Sequence, residues 1–192
     1  EHRDLHSFPT RRSSDLDIAA GLQDRVIQVY EGAVYMDFDE NLIEERGYGK
    51  YEPLEVSLLP PLFLAYRNDL GEGSETIHQT VHDRWLEGDR EVITALTDIA
   101  SYAQIARNLI VCGRGKDIGE LMDKNFNRRC DIFKVSDENI EMIELARSVS
   151  AHAKLSGSGG AIIGMYDDEE MYKKLEKRMS EKGVVVVKPV IG

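Results

Sequence analysis

The chain has 192 residues, of which 42% are hydrophobic and 31% are charged, so it is long enough for one domain with a hydrophobic core, or for one domain and part of another. Its formal net charge of -11 argues against nucleic acid and anionic membrane as partners, because no long run of lysine and arginine offsets the acidic field. The longest apolar stretches, such as Val184 to Val187, fall well short of the roughly 20 residues that span a bilayer. The composition therefore predicts a soluble, globular protein.

Two cysteines, Cys112 and Cys130, are the only ones in the sequence, and neither belongs to a CxxC pair. A disulfide framework or a structural zinc site therefore has little support. Such sparing use of cysteine is typical of the reducing cytoplasm, where we expect the protein to be.

Residues 1–16 show neither a helical nor a strand period, and they lack the apolar core of a signal peptide. From Arg3 to Leu16 they match, codon by codon, the translation of a widely used sequencing-library adapter. We therefore expect residues 1–16 to be a non-native segment, with a disordered native N-terminus as the alternative. The first interpretation places a truncation of the gene near Asp17.

The segment that follows predicts a mixture of short helices and strands. Helical spacing of apolar residues ends at Gly32, and apolar or alternating runs mark the strands beyond it. In chain order we predict a helix over 18–30, a strand over 33–38, a loop over 41–49, and two strands within 51–67 that are broken at Pro60 and Pro61. We expect the last two strands in a hairpin or at a sheet edge.

The rest of the sequence predicts a helical block followed by a β-turn-β-α-β tail. Ser74, at the end of a glycine-rich turn, can cap a helix that runs through His78, His82 and Trp85. The further predicted elements are helices over 89–111, 118–130 and 138–150, strands over 153–155 and 161–165, a charged helix over 168–183, and a final strand over 184–191. This order predicts the α+β class.

A glycine-rich turn, Ser156-Gly157-Ser158-Gly159-Gly160, follows Lys154 and lies between two predicted strands of the tail. Consecutive glycines allow positive φ angles and a close backbone approach, so their N–H groups can point together at an anion, and the serines add hydroxyl donors. The turn matches neither a Walker A loop nor a GxGxxG dinucleotide turn. A phosphate-binding turn and a plain hairpin both remain open interpretations.

A second candidate site lies on the first predicted helix, where Gln23, Asp24 and Arg25 are consecutive. The carboxylate of Asp24 can accept a proton from an alcohol, or hold its charge beside a transferring phosphoryl group. Arg25 supplies the opposite charge. A solvated ion pair on a helix surface is the alternative.

Three further patterns have simpler explanations. His78 and His82 share a helix face, but Gln79 stands where a zinc hydrolase motif has glutamate, so we expect a half-buried helix and no metal-ligating residues. The acidic run 167–170 is expected to cap and start a helix. Arg128 and Arg129 can meet an anionic substrate, although a surface pair is the preferred interpretation.

Three segments together resemble the GHMP sugar kinases, and the resemblance extends over essentially all of residues 17–192. The segments are Ala20-Gly-Leu-Gln-Asp-Arg-Val26 with Val29-Tyr-Glu-Gly32, then Arg84-Trp-Leu-Glu-Gly-Asp89, and finally the turn from Lys154 to Gly160. Within the family the resemblance is strongest to the members that act on glucuronate. It implies a two-lobed fold in which residues 17–70 are a remnant of the N-terminal lobe and residues 71–192 are the C-terminal domain, with a ferredoxin-like tail.

The resemblance also implies that ATP, Mg²⁺ and a small-molecule sugar are cofactors and substrate. Asp24, in a Gly-x-x-Asp setting that begins at Gly21, would orient or deprotonate the attacking hydroxyl, with Gln23 and Arg25 at the substrate. The turn would support the cleft around the phosphates through Lys154, Ser156, Gly157, Ser158, Gly159 and Gly160. Because an arginine can pair bidentately with a uronate carboxylate, we expect D-glucuronate to be phosphorylated at its anomeric hydroxyl. Heptose-phosphate, fucose and galactose-type kinases are the alternatives within the family.

The sequence departs from the family in one large respect. The family's second motif, Pro-x-x-x-Gly-Leu-x-Ser-Ser-Ala, cradles the ATP phosphates and occurs nowhere in this sequence. Because phosphoryl transfer depends mostly on positioning and electrostatic stabilisation, we expect the 192-residue chain to be inactive alone and the full gene product to be active. A non-catalytic module that binds a small metabolite or a protein is the alternative class. The sequence predicts no oligomeric state.

Overall fold

The structure, a computed structural model, describes residues 22–67 and 75–191. These residues belong to two compact units that divide between Pro53 and Leu54. The predicted non-native segment 1–16, the first residues of the helix predicted over 18–30, and the cap at Ser74 lie outside the described residues. No helix within the described ranges is both long and apolar enough to cross a membrane.

The smaller unit contains a two-stranded sheet and two short helices. Its elements are α1 (Leu22–Ile27), β1 (Ala33–Asp37), α2 (Glu40–Arg46) and β2 (Lys50–Leu54), and β1 pairs with β2. Three aromatic rings pack together in this unit. The ring centroid of Tyr51 lies 6.1 Å from that of Tyr30 and 5.8 Å from that of Phe38, both in edge-on contacts, so the chain that leaves α1 is packed against β2.

Helix α2 corrects the prediction of a loop over 41–49. Asp39 caps the helix by accepting a hydrogen bond from the Leu42 amide at 3.3 Å, and Gly47 ends it with a left-handed φ of 78°. None of its residues is buried, so no apolar stripe marked it in the sequence. The helix is therefore defined by its two caps, as expected for a short surface helix.

The larger unit has the predicted helical block followed by the predicted tail. Its elements in chain order are a 3₁₀ turn (Val56–Leu58), β3 (Leu62–Tyr66), α3 (Glu75–Leu86), α4 (Arg90–Val111), a second 3₁₀ turn (Gly115–Ile118), α5 (Gly119–Ile132), α6 (Asp137–Arg147), β4 (His152–Leu155), β5 (Ala161–Met165), α7 (Glu169–Ser180) and β6 (Val185–Val187). Asp168 caps α7 by accepting a hydrogen bond from the Met171 amide at 2.8 Å, as the acidic run 167–170 predicts.

The four strands of the larger unit form one sheet in the order β4-β5-β3-β6, and all neighbours are antiparallel. Strands β5 and β6 are therefore parallel to each other on either side of β3, with α7 as the connection between them. This split β-α-β arrangement confirms the predicted ferredoxin-like tail and the α+β class. Ala65 of β3 is opposite Ile162 of β5 and Val186 of β6.

Strand β3 is an inner strand of this sheet rather than part of a hairpin with β2. Its residues are buried or half-buried along its whole length, with Phe63 and Ala65 fully buried, which is typical of a strand covered on both faces. In the structure β3 lies in the larger unit, and the division into two kinase lobes at residue 70 stays a prediction.

Helices cover both faces of the sheet, because successive strand residues point to opposite sides. On one face Phe63 and Ile162 pack in a core with Met142 and Ile143 of α6 and Leu175 of α7. On the other face, Leu62, Ile163 and Met165 pack with Ile110 of α4 and Met122 of α5. The hairpin between β4 and β5 is thus fixed between two helical layers.

Candidate functional site

The glycine-rich turn, residues 156–160, joins the adjacent antiparallel strands β4 and β5. The amide and the hydroxyl of Ser156 both donate to the carbonyl oxygen of Ala161, at 3.1 and 3.3 Å, and these bonds close the base of the turn. Gly160 has a φ of 73°, a left-handed conformation that side chains with a Cβ adopt only with strain. The turn therefore has a defined backbone shape that requires glycine at this position.

A buried asparagine supports the turn from beneath. Asn139, only 1% exposed, accepts a hydrogen bond from the Gly160 amide at 2.8 Å, and its side-chain nitrogen donates to Oγ of Ser136 at 3.0 Å. The carbonyl oxygen of Gly160 accepts a further bond from the Arg67 amide at 3.2 Å. Gly160 is thus held from two sides, by the start of α6 and by the chain that leaves β3.

Asn139 was not among the predicted site residues, although the sequence carried a signal for it. The buried residues of α6 are Asn139, Met142, Ile143 and Ala146, which is the i, i+3, i+4, i+7 pattern of a core-facing stripe. An asparagine in that stripe needs a buried hydrogen-bond partner. The backbone of the glycine turn is that partner.

The tip of the turn offers free donors. Within the described part of the chain, the amides of Gly157, Ser158 and Gly159 donate to no protein acceptor, and Gly157 and Ser158 are exposed. The amide of Gly160 and the hydroxyl of Ser156, in contrast, are already used inside the protein. The backbone at the tip can therefore bind an anion, whereas the base of the turn is structural.

Lys154 lies near the end of β4, two residues before the turn. Ala153 and Leu155 belong to the core shared with α6 and α7, so Lys154 is on the opposite face of the strand. Its ammonium group donates to the carbonyl oxygen of Leu155 at 2.9 Å. Burial lowers the pKa of Lys154 below its ordinary value, and the nearby positive charge of Arg129 lowers this pKa further.

The second predicted cluster lies in the smaller unit. Gln23, Asp24 and Arg25 are consecutive on α1 and all three are exposed, while the next residue, Val26, is 3% exposed. Val26 thus holds the short helix in place while its three polar neighbours face solvent. Gly21, which begins the predicted Gly-x-x-Asp setting, lies outside the described residues.

The segment from Arg84 to Asp89 forms the corner between α3 and α4. Asp89 Oδ1 accepts a hydrogen bond from the Glu91 amide at 2.9 Å and caps α4, while its other oxygen pairs with Nε of Arg84 at 2.8 Å. Gly88 has a left-handed φ of 77°. The hydrogen bond from Arg84 lowers the pKa of Asp89. This segment has a structural role in the described contacts, since each charged partner stabilises the corner.

Of the two predicted helix-face histidines, the structure describes the side chain of His82 alone. His82 is exposed, its ring centroid lies 6.4 Å from that of Trp85, and its Nδ1 is 3.8 Å from a carboxylate oxygen of Asp83. The side chain of His78 lies outside the described residues. In the ranges that the structure describes, no group of three or more histidine, cysteine or acidic side chains could hold a metal ion.

The family of the chain follows from a comparison with known families. Residues 102–185, which include the glycine turn and the strands β4 and β5, match the family model described as GHMP kinases C terminal. The chain therefore belongs to the GHMP kinases and carries their C-terminal domain.

Two curated relatives are similar to most of this chain. The chain is 39% identical over 182 residues to probable glucuronokinase 2 of Arabidopsis thaliana, and 38% identical over 181 residues to glucuronokinase 1 of the same plant. Each match covers 92% of this chain and 49% of the relative. The chain spans about half the length of the curated relatives it matches.

A solved structure shares the fold. The mevalonate kinase of L. major, in complex with R-mevalonate, superimposes with a TM-score of 0.70 over 88% of this chain and 53% of that chain, at 16% identity. At this identity the likeness concerns the fold alone. It agrees with the arrangement of sheet and helices described above.

Proposed function

We propose that the full-length protein is an ATP- and Mg²⁺-dependent phosphotransferase that phosphorylates the anomeric hydroxyl of D-glucuronate. The observation that carries this proposal is the identity to two glucuronokinases along nearly the whole chain. The exposed Gln23-Asp24-Arg25 cluster and the supported glycine turn add chemistry that suits the reaction. We also propose that the protein acts in the cytoplasm, and that residues 17–70 belong to the N-terminal lobe and residues 71–192 to the C-terminal domain.

Asp24 is the proposed catalytic residue. Its carboxylate is exposed on α1, so a sugar hydroxyl can reach it and transfer a proton to it, or be oriented by it, as the phosphoryl group arrives. Gln23 and Arg25 lie beside it on the same helix and would bind the sugar. The planar guanidinium of Arg25 can form two parallel hydrogen bonds with the uronate carboxylate, which a neutral sugar lacks.

The glycine turn is the proposed phosphate-side support. The free amides of Gly157, Ser158 and Gly159 and the ammonium group of Lys154 can stabilise negative charge on phosphate oxygens. ATP fits this donor set because each donor is positive or partly positive. When bound, Mg²⁺ would neutralise phosphate charge, and it would be held largely by phosphate oxygens and water.

The substrate can be tested on the full-length protein by measuring ADP release with glucuronate, galacturonate, heptose 7-phosphate and fucose. We expect glucuronate to be the best substrate. Arg25→Gln should lower kcat/KM for glucuronate by about 10-fold to 100-fold, because it removes a charge-assisted bidentate contact, and should affect a neutral sugar much less. Arg46→Gln, at another exposed arginine of the smaller unit, serves as the control. Equal losses on glucuronate and on a neutral sugar would refute the role of Arg25.

We also propose that the 192-residue chain alone turns over negligibly. The sequence contains no Pro-x-x-x-Gly-Leu-x-Ser-Ser-Ala segment, and positioning of the ATP phosphates accounts for most of the catalysis in phosphoryl transfer. The purified chain should therefore release no ADP above background with glucuronate and ATP. Measurable glucuronate-dependent phosphorylation by this chain would overturn this part of the proposal.

A further inference from the structure

Arg129 of α5 is a cation without an acidic partner among the described residues. Its Nε is buried and has no hydrogen-bond partner among the described residues. Its guanidinium carbon lies 4.7 Å from the centroid of the Phe133 ring, a contact that holds the cation but supplies no hydrogen-bond acceptor. A buried donor without a partner is rare in native proteins and calls for an explanation, such as an ion or a ligand that completes it.

The neighbouring arginines show that acidic partners are available on the same helix. Arg128, next in the chain, pairs with Asp98 and with Asp131, both at 2.9 Å. Arg147 of α6 reaches Asp123 at 3.4 Å. The chain has 35 acidic residues and 24 lysines and arginines, so the isolation of Arg129 does not follow from a shortage of acids. The predicted surface pair Arg128-Arg129 thus divides into one paired arginine and one with a buried, unpartnered nitrogen.

Lys154 is a second cation without a carboxylate partner in the described ranges, since its ammonium group contacts the carbonyl oxygen of Leu155. Helix α5 runs along β4, because Asp123 contacts His152 Nδ1 at 2.6 Å and the Ala153 amide at 3.3 Å. Arg129 lies six residues beyond Asp123, roughly 9 Å further along the helix axis. Lys154 is opposite Ile163 of β5, and Ile163 packs in the cluster that contains Met122 of α5. Lys154 is therefore on the sheet face that α5 covers, and it is near enough to Arg129 for that positive charge to lower its pKa.

We infer that Arg129 and Lys154 form an oxyanion site beside the glycine turn, on the sheet face that α5 covers, and that this site takes a phosphoryl group. A guanidinium fork and an ammonium group are complementary to a tetrahedral oxyanion. The free amides of Gly157, Ser158 and Gly159 lie in the adjoining turn. The choice of a phosphoryl group over other oxyanions rests on the proposed kinase function, whereas anion binding rests on the contacts alone. The phosphoryl group belongs either to the nucleotide or to a phosphorylated sugar.

The test is a calorimetric titration of the 192-residue chain with inorganic phosphate. We expect saturable binding that Arg129→Gln and Lys154→Met each weaken by about tenfold or more, because each removes a charge-assisted contact. Arg128→Gln is the matched control, since it removes the same charge one residue away from a side chain that already has acidic partners. It should leave phosphate binding unchanged.

A second readout needs no variant. Burial and Arg129 lower the pKa of Lys154, and a bound anion favours the protonated ammonium. The pKa of Lys154, followed by NMR at its Cε, should therefore rise when phosphate is added. A lysine with a purely structural role would titrate identically with and without phosphate.

Competition identifies the source of the phosphoryl group. Displacement of phosphate by ATP or ADP assigns the site to the nucleotide, and displacement by glucuronate 1-phosphate assigns it to the sugar product. No saturable phosphate binding, binding equally sensitive to Arg128→Gln, or displacement by neither competitor would overturn the inference. If the full-length protein phosphorylates glucuronate while phosphate leaves Lys154 unchanged, the site is wrong and the kinase proposal stands. If phosphate binds at Arg129 and Lys154 but the full-length protein has no kinase activity, the anion site stands and the kinase proposal is wrong.

Discussion

The side-chain oxygen of Asn139 accepts the backbone N–H of Gly160 at 2.8 Å, and this buried bond ties the glycine turn to the first turn of α6. Asn139→Ala removes the acceptor and leaves the Gly160 amide buried without a partner. We expect the variant to lose about 1–3 kcal/mol of unfolding free energy, measured by urea denaturation of the chain at pH 7.

The control for this prediction is Asn108→Ala on α4. Asn108 is exposed, and its side chain accepts a bond only from the adjacent Arg107 among the described contacts. Its loss should change stability by less than about 0.5 kcal/mol. Equal effects of the two substitutions would show that the bond from Gly160 does not stabilise the fold.

Two glycines of the turn form a matched pair. Gly160 has a left-handed φ of 73°, so Gly160→Ala should destabilise the protein by about 1–2 kcal/mol through backbone strain. A Cβ built on Gly157 meets nothing within 4 Å, and Gly157 is not among the residues with positive φ. Gly157→Ala should therefore leave the urea midpoint nearly unchanged. A larger loss at Gly157 than at Gly160 would contradict the backbone shape described for the turn.

Lys154 should make stability depend on pH. Its pKa in the folded state is lowered, first by burial and then by Arg129, from the ordinary value of 10.5. The unfolded chain therefore binds this proton more tightly, so the contribution of Lys154 to stability rises as pH rises through the folded pKa and levels off above 10.5. Lys154→Met removes the cost of burying the charge. The variant should be more stable than the wild type near pH 7, and the difference should shrink as pH approaches 10.5.

Lys174 is the control, because its pKa is raised whereas the pKa of Lys154 is lowered. It is exposed and pairs with Glu170 at 2.7 Å, and this hydrogen bond raises its pKa. Its contribution is present below the unfolded pKa and is lost as pH rises through the folded pKa. Lys174→Met should therefore be slightly less stable than the wild type at pH 7, with the difference vanishing at high pH. If Lys154→Met were also less stable than the wild type at pH 7, with a difference that vanished at high pH, the burial of Lys154 would be refuted.

Local patterns in the sequence predicted the helices that have an apolar stripe and a cap. Helix α4, predicted over 89–111, spans Arg90–Val111 with Asp89 as its cap. Helix α2 has no buried residue, and a search for apolar periodicity cannot find such a helix. Its caps, Asp39 and Gly47, were the only local signal.

Other features depend on partners far away in the chain. The position of β3 inside the sheet follows from the pairing of Ala65 with Ile162 and Val186, which no local pattern reveals. The different contacts of Arg128 and Arg129 also depend on how the helix is placed among its neighbours. Successive helical residues point about 100° apart, so one arginine reaches Asp98 of α4 while the other lies over Phe133.

The central claim is that Asp24 acts on a sugar hydroxyl during phosphoryl transfer from ATP, and one measurement tests it directly. The full-length protein is incubated with ATP, Mg²⁺ and D-glucuronate, and the formation of the anomeric phosphate is followed by ³¹P NMR. We expect Asp24→Asn to lower kcat by about 10²-fold to 10⁴-fold, as for loss of a general base, and Glu40→Gln, at an exposed acid of α2, to leave it unchanged. A wild-type protein that forms no sugar phosphate, or an Asp24→Asn variant as active as the wild type, would contradict the account.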